Sequence, residues 1–225
     1  MLYPPVCPFC GAISPPGICA KCREKIIYVQ EPRCMRCGKP LQDESEEYCR
    51  DCGKEKSWFV QGRSLWLHRD PVPSAIYRFK YQNRRHFGKI FAGELKENYG
   101  CQIRKWKIHE IIPIPLHTSR RRKRGFNQSE IIAGELARLT GIPCRSDVLF
   151  RIRKTVPLKE LDRRGRAREL SGAFAVAKNW NAPENVLLID DIYTTGATLQ
   201  TAARMLRAAG VQNVYFLTVS IGQGI

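Results

Sequence analysis

Residues 186–198 read Val186-Leu187-Leu188-Ile189-Asp190-Asp191-Ile192-Tyr193-Thr194-Thr195-Gly196-Ala197-Thr198. The apolar run 186–189 has the unbroken hydrophobic pattern of a parallel strand buried on both faces. Asp190 and Asp191 stand where that strand is expected to end. A Thr/Gly loop follows, and a helix is predicted from Leu199 to about Ala209, with Gly210 as its stop. Ligands of open α/β sheets lie outside the carboxyl ends of strands, so this stretch predicts a ligand crevice.

The chemistry of the crevice follows from its residue types. Amides at a helix start lack intrahelical partners and sit at the positive end of the helix dipole. Gly196 lets the backbone approach a ligand closely, and the hydroxyls of Thr194, Thr195 and Thr198 add donors around Ala197. Such a loop suits one phosphate group. Ionised Asp190 and Asp191 only accept hydrogen bonds, which suits sugar hydroxyls. A phosphate site beside two hydroxyl acceptors describes a ribose 5-phosphate. A tight turn with two surface acids is the plainer alternative, and the full run argues against it. The segment resembles the PRPP-binding signature of type I phosphoribosyltransferases. That resemblance implies catalytic ribose contacts at Asp190 and Asp191, a 5-phosphate on residues 194–198, and a magnesium ion carried on the pyrophosphate.

Outward from this motif, the chain divides by composition. Ten cysteines occur, eight of them in four C-x-x-C pairs: Cys7/Cys10, Cys19/Cys22, Cys34/Cys37 and Cys49/Cys52. Thiolate pairs at this spacing grip one side of a tetrahedral ion, so four pairs suit two structural zinc sites of four thiolates each. Sequential pairing would join the first two pairs and the last two, and a crossed arrangement stays open. Gly11, Gly38 and Gly53, each directly after a pair, suit tight knuckle turns. A disulfide framework is the competing reading. The first residues carry no basic and apolar segments of a secretory signal, and a reducing, cytoplasmic setting is expected. Cys101 and Cys144 are expected as small core residues. Residues 1–56 hold little periodic apolar pattern, so metal is expected to supply their folding energy. Residues 57–225 are expected to form the α/β domain. No apolar run is long enough for a membrane span.

Within residues 57–225 the pattern predicts strands over 63–67, 110–114, 148–151, 186–189 and 213–219. Helices are predicted over 72–81, 86–98, 128–140, 163–170 and from 199. The alternation argues for a mainly parallel sheet with helices on both faces. The strand at 110–114 leads into Pro115-Leu116-His117-Thr118-Ser119-Arg120-Arg121-Arg122-Lys123-Arg124-Gly125-Phe126-Asn127-Gln128. A charge run is ordinarily a solvated face. Its place after a strand makes it the expected pyrophosphate-binding loop, where Arg forks hold phosphate oxygens.

The cysteine pairs, the Pro-x-Pro-Leu-His…Arg-Gly-Phe-Asn-Gln segment and the PRPP signature together resemble the ComF/ComFC family of competence proteins, over nearly the whole chain. The resemblance implies a phosphoribosyltransferase-like domain behind a double zinc ribbon. Lys80-Tyr81 and Arg153-Lys154-Thr155 also fit the family. It places Lys80, His117, Arg120, Arg121, Arg122, Arg124 and Gly125 on the pyrophosphate side. Leu158 and Glu169 stand where the family usually carries Gln and Asn, departures that bear on catalytic turnover more than on binding. The implied role is natural transformation: handling single-stranded DNA in the cytoplasm, with a DNA-uptake helicase and recombination proteins as partners. The alternative is an active phosphoribosyltransferase that moves phosphoribose from PRPP to an unidentified acceptor. The chain ends five residues after Ser220, so acceptor specificity is expected from residues before Glu110 or from a partner.

Charge bears on where DNA would bind. The formal net charge is +17. Residues 1–56 hold nine Lys/Arg against eight Asp/Glu, a net of +1, so +16 lies in residues 57–225. Two four-thiolate zinc sites at about −2 each would make the N-terminal module negative, about −3. Phosphate-driven affinity scales with basic contacts. The DNA candidates are therefore Arg120, Arg121, Arg122, Lys123, Arg124, Arg163, Arg164, Arg166 and Arg168. Trp58, Phe59, Tyr81 and Phe126 are candidates for base stacking, with Trp58 more simply expected in the core.

Overall fold

The computed structural model describes residues 5–54, 56–153 and 172–222. In chain order the elements are α1 (Ala20–Arg23), α2 (Arg50–Lys54), β1 (Gln61–Leu67), α3 (Val72–Tyr81), α4 (Phe87–Lys105), β2 (Glu110–Pro113), α5 (Thr118–Arg124), α6 (Gln128–Thr140), β3 (Leu149–Arg151), β4 (Phe174–Val176), β5 (Asn185–Tyr193), α7 (Ala197–Ala208) and β6 (Asn213–Ile221). Strands β1, β6, β5 and β2 lie side by side in that order, and every neighbouring pair is parallel. The expected mainly parallel α/β sheet is therefore present.

Strand β5 shows why the sheet is covered on both faces. Leu187 and Ile189 enter a buried cluster with Phe79, Phe91, Leu95, Ile132 and Leu136 from α3, α4 and α6. Val186 and Leu188 enter the other cluster, with Leu199, Ala202 and Leu206 from α7. Successive side chains of a strand point to opposite faces, so a continuous apolar run needs a layer on each.

The strand also runs further than its apolar stretch. Asp190, Ile192 and Tyr193 pair with Thr218, Ser220 and Ile221 of β6. On the other side β2 ends at Pro113, opposite Ile189. Past that point β5 keeps one neighbour, and the two aspartates emerge beside the place where β2 leaves the sheet.

The two cysteine sets flank this sheet. A segment between them hydrogen-bonds to the β1 edge, with Val29 N donating to Leu65 O at 2.9 Å and Leu67 N to Ile27 O at 2.9 Å. That pairing covers an edge that would otherwise be open. In the first set, Phe9 packs edge-on against Trp66, with ring centroids 5.4 Å apart. Arg23 pairs with the buried Glu94 of α4 at 2.7 Å, and the Tyr28 hydroxyl donates to the same carboxylate at 2.6 Å.

Several expectations need correction. The basic run folds as helix α5 rather than a loop, capped by His117 and closed by Gly125 at φ 81°. Strand β3 pairs antiparallel with β4 in a separate two-stranded sheet. Helix α4 continues past 98 to Lys105. Gly53 lies inside α2, while Gly11 and Gly38 do take positive φ in knuckle turns. Cys101 is exposed and Cys144 half-buried, so neither is a core residue. Trp58 is 41% exposed rather than in the core. Among the described residues no helix is long and apolar enough to cross a membrane. The helix expected over 163–170 lies outside the described residues, as do Leu158 and Glu169.

Candidate ribose-phosphate site and zinc centres

The two cysteine sets resolve the pairing question. Cys7, Cys10, Cys19 and Cys22 bring their Sγ atoms within 4.8 Å of one another, and so do Cys34, Cys37, Cys49 and Cys52. Cys10 and Cys19 are 3.7 Å apart at sulfur, as are Cys37 and Cys49. A tetrahedral ion with Zn–S bonds of about 2.3 Å needs sulfurs about 3.8 Å apart. A disulfide needs about 2.05 Å. The pairing is sequential, and both sets fit structural zinc. In each set the second C-x-x-C pair is held by a short helix, α1 or α2.

Asp190 and Asp191 are 9% and 5% exposed at the carboxyl end of β5. Ser129, at the start of α6, donates its hydroxyl to Asp190 Oδ1 at 3.0 Å, and the Asp191 amide donates to the same oxygen at 2.9 Å. Gln128 Nε2 approaches Asp191 Oδ1 at 3.4 Å. Lys80, from the last turn of α3, forms an ion pair with Asp191 Oδ2. Burial and the neighbouring Asp191 charge push the Asp190 carboxyl up to about 8. Burial also opposes ionisation of Asp191, but the Lys80 ammonium outweighs it and holds that carboxyl below its ordinary range. The pair therefore shares one negative charge near neutrality, with the proton on Asp190.

A pH dependence follows. Folded Asp190 keeps its proton at a pH where an unfolded chain has lost it. Its contribution to stability is thus full below the ordinary carboxylate range and is lost as pH rises through about 8. A ligand hydroxyl donating to Asp190 would be held more strongly by the ionised carboxylate than by the protonated one, so such binding would move the opposite way. Affinity for ribose 5-phosphate is expected to rise between about pH 7 and 9, by up to roughly tenfold. Titration across that range checks it, and Asp190→Asn should remove the slope.

Next to the aspartates, Gly196 caps α7 with φ 75° and no side-chain cap. The first intrahelical bond runs from Gln200 N to Gly196 O at 2.8 Å. The amides at the start of this 12-residue helix are thus free of intrahelical partners, as a phosphate site requires. Ala197 and Thr198 belong to the first helical turn rather than to the preceding loop. A Cβ on Gly196 would lie 2.4 Å from the Tyr193 hydroxyl. Tyr193 is buried, stacks on Phe216 with centroids 5.2 Å apart, and shares a buried cluster with Cys37. The second zinc site therefore stands directly behind the loop.

The basic residues separate into groups. Arg124 hydrogen-bonds Gln128 Oε1, and its guanidinium lies 5.0 Å from the centre of the Tyr81 ring. Arg124 thus belongs to the aspartate site. Arg121 is paired with Glu130 at 3.2 Å, while Arg122 and Lys123 are exposed. His117 accepts from the Ser119 amide at 3.3 Å and serves as the α5 cap. Lys80 reaches the aspartates from α3 and pairs with Asp191. Arg163, Arg164, Arg166 and Arg168 lie outside the described residues. Of the stacking candidates, Phe59 and Phe126 are buried, and Trp58 and Tyr81 are exposed. Sequence reasoning gave no role to Gln128, Ser129 or Tyr193. The N-cap signal of Asn127 before α6 was available for the first two, but nothing local points them at Asp190 and Asp191.

Known proteins share these features. A double zinc ribbon family model matches residues 1–53. Competence protein F of Haemophilus influenzae is 30% identical over 207 residues, covering 90% of this chain and 89% of that one. The chain belongs to the competence protein F/ComFC family. Competence protein ComFC of Bacillus subtilis is 30% identical over 200 residues, 86% of this chain and 79% of its own. DNA utilization protein YhgH of Salmonella typhimurium is 27% identical over 220 residues, 95% of this chain and 96% of that one. Among solved structures, an adenine phosphoribosyltransferase aligns with a TM-score of 0.36 at 17% identity, over 67% of this ComFC-family chain and 85% of that chain. The fold assignment rests on strand order and pairing, not on that alignment.

Proposed function

We propose that this ComFC-family chain binds a ribose 5-phosphate ligand, PRPP with magnesium, and serves DNA handling in natural transformation. The observation that carries the ligand reading is the juxtaposition of two buried aspartates with the uncapped start of α7 behind Gly196. Asp190 and Asp191 would receive the ribose hydroxyls, and residues 194–198 the 5-phosphate. Carboxylates and phosphate oxygens suit magnesium, which would add charge neutralisation at the pyrophosphate. Arg124 and Lys80 stand where they can take up negative charge as the ligand enters. A titration of PRPP with magnesium, with one ligand per chain expected, tests the reading.

The transformation role is supported by the competence and DNA-utilization names of its relatives. Single-stranded DNA is assigned to the basic surface of residues 57–225 in a cytoplasmic setting, with helicase and recombination partners expected from the family. Replacing Arg120, Arg121, Arg122 and Lys123 together by alanine should weaken single-stranded DNA binding at least tenfold. The salt slope should also fall by about 0.7 per lost phosphate contact. Measurement of affinity against salt checks this; an unchanged slope would move the DNA elsewhere. Transfer of phosphoribose to an acceptor is the second reading. It is favoured by Arg124, a cation linked through Gln128 to Asp191, which would stabilise a leaving pyrophosphate.

A further inference from the structure

The two thiolate sets share a spacing and differ in access. One sulfur pair in each is 3.7 Å apart, Cys10 with Cys19 and Cys37 with Cys49. In the second set all four cysteines are buried. In the first, Cys7 and Cys22 are buried, but Cys10 is exposed and Cys19 half-buried. Each set also has an arginine on a knuckle carbonyl, Arg78 donating to Pro8 O and Arg36 to Cys52 O. Access rather than local charge therefore separates the two sets, and a thiolate is oxidised where the oxidant can reach it. The first set is also loosely backed. Helix α1, which carries Cys22, has four residues, too few to stand without an anchor. Its contact with α4 runs through Arg23, 2.7 Å from the buried Glu94. Beside that contact lies a cavity of about 1050 Å³, lined by Ile13, Pro15 and Pro16 from the ribbon and by His86 and Ile90 from the α4 side. The ribbon thus meets α4 over only part of its face.

We infer that Cys10 and Cys19 form a peroxide-reactive pair, whose oxidation to a disulfide empties the first zinc site and leaves the second loaded. The inference rests on the fit of the first set to zinc and is independent of the ribose-phosphate reading. The exposed Cys10 thiolate attacks one oxygen of hydrogen peroxide. An S–O bond forms, the O–O bond breaks, and hydroxide leaves. The Cys19 thiolate then attacks the Cys10 sulfur. An S–S bond forms, the S–O bond breaks, and a second hydroxide leaves. Two electrons have passed from the sulfurs to the peroxide, and two protons from solvent turn the hydroxides into water. Cys7 and Cys22 then remain as two thiolates, half of what a structural zinc site requires. Helix α1 loses its anchor, and Arg23 withdraws from Glu94. The second set keeps all four thiolates.

The test treats the full zinc-loaded chain with hydrogen peroxide, in a Cys101→Ser background that removes the exposed thiol of α4. A chromophoric chelator follows zinc, and mass spectrometry of alkylated peptides identifies the disulfide. One of the two ions should be released at least about tenfold faster than the other, with Cys10 joined to Cys19. A thiol reductant with added zinc should restore both ions. Cys10→His keeps a zinc ligand without the thiolate, so it should hold its metal under the same treatment. The comparison between the two sets stands whether or not that variant loads zinc. Release of both ions at equal rates would overturn the inference, as would oxidation without metal loss or a disulfide that omits Cys10 or Cys19. A chain that carries zinc in the second set alone before treatment would overturn it together with the zinc reading of the first set.

Discussion

Replacing Asp190 and Asp191 together by alanine is expected to lower affinity for PRPP or ribose 5-phosphate by about a hundredfold or more. Above about pH 8, where Asp190 is ionised as well, each carboxylate would accept hydroxyl hydrogen bonds from the ribose, and hydrogen bonds to charged groups are worth about 1.5–3 kcal/mol each. Two such losses correspond to at least two decades in affinity. The fold should survive. Asp190 is held against its preference for ionisation by burial, so its removal relieves a strained group, as is common where function outranks stability. Removal of Asp191 has an opposite effect, because Lys80 then loses its partner. Unchanged zinc content and a cooperative melt would establish folding, and calorimetry the loss of binding. If the variant bound ribose 5-phosphate as the intact chain does, the ligand would not be held by these acids. Transformation efficiency reads the same site in the cell and should fall with it.

The second large effect concerns the zinc centre behind the phosphate loop. Cys34, Cys37, Cys49 and Cys52 share a buried cluster with Tyr193, Leu199 and Phe216, whereas Cys7 and Cys22 belong to the cluster of α3 and α4. The two ribbons should therefore differ in what they support. A Cys34→Ser/Cys52→Ser variant should lose one of two zinc ions and bind ribose 5-phosphate ten- to hundredfold more weakly. Released from its support, the loop would have to be reordered at about 1–2 kcal/mol per residue. A Cys7→Ser/Cys22→Ser variant should also lose one ion and some stability, since structural zinc supplies folding free energy. Its ligand affinity should stay within about twofold, because Tyr193 and Gly196 keep their support. Metal analysis with ligand titration of both variants separates the ribbons. Equal losses of affinity would show that the effect is general destabilisation rather than support of the loop.

How far the sequence carries depends on the kind of signal. The apolar run before Asp190 announces a buried strand because burial on both faces leaves a continuous pattern. It does not show that β5 continues through the acids to Tyr193. That extension depends on β6, a neighbour 28 residues away in register. The cysteine pairs announce metal sites through local spacing, while the pairing emerges only once the two ribbons are placed. Helix α5 is hidden because five consecutive basic residues have no apolar period to read. Its cap at His117 and its left-handed Gly125 are the available signs. Helix α4 outruns its expected end at Asn98 and runs on through Gly100. Tertiary contacts override that weak breaker, among them the Tyr99 hydroxyl donating to Ser64 O at 2.7 Å and the buried Ile103 and Trp106. Lys80, Gln128 and Ser129 meet the aspartates from α3 and α6, a convergence that no single segment encodes.

The central claim is that the crevice at the end of β5 holds a ribose 5-phosphate group. Titration calorimetry of the zinc-loaded chain with PRPP and magnesium tests it most directly. Saturable binding of one ligand per chain is predicted, together with its loss in Gly196→Ala, where a Cβ would meet the Tyr193 hydroxyl and a positive φ disfavours any side chain. No detectable heat at millimolar ligand, or binding unaffected by Gly196→Ala, would contradict it.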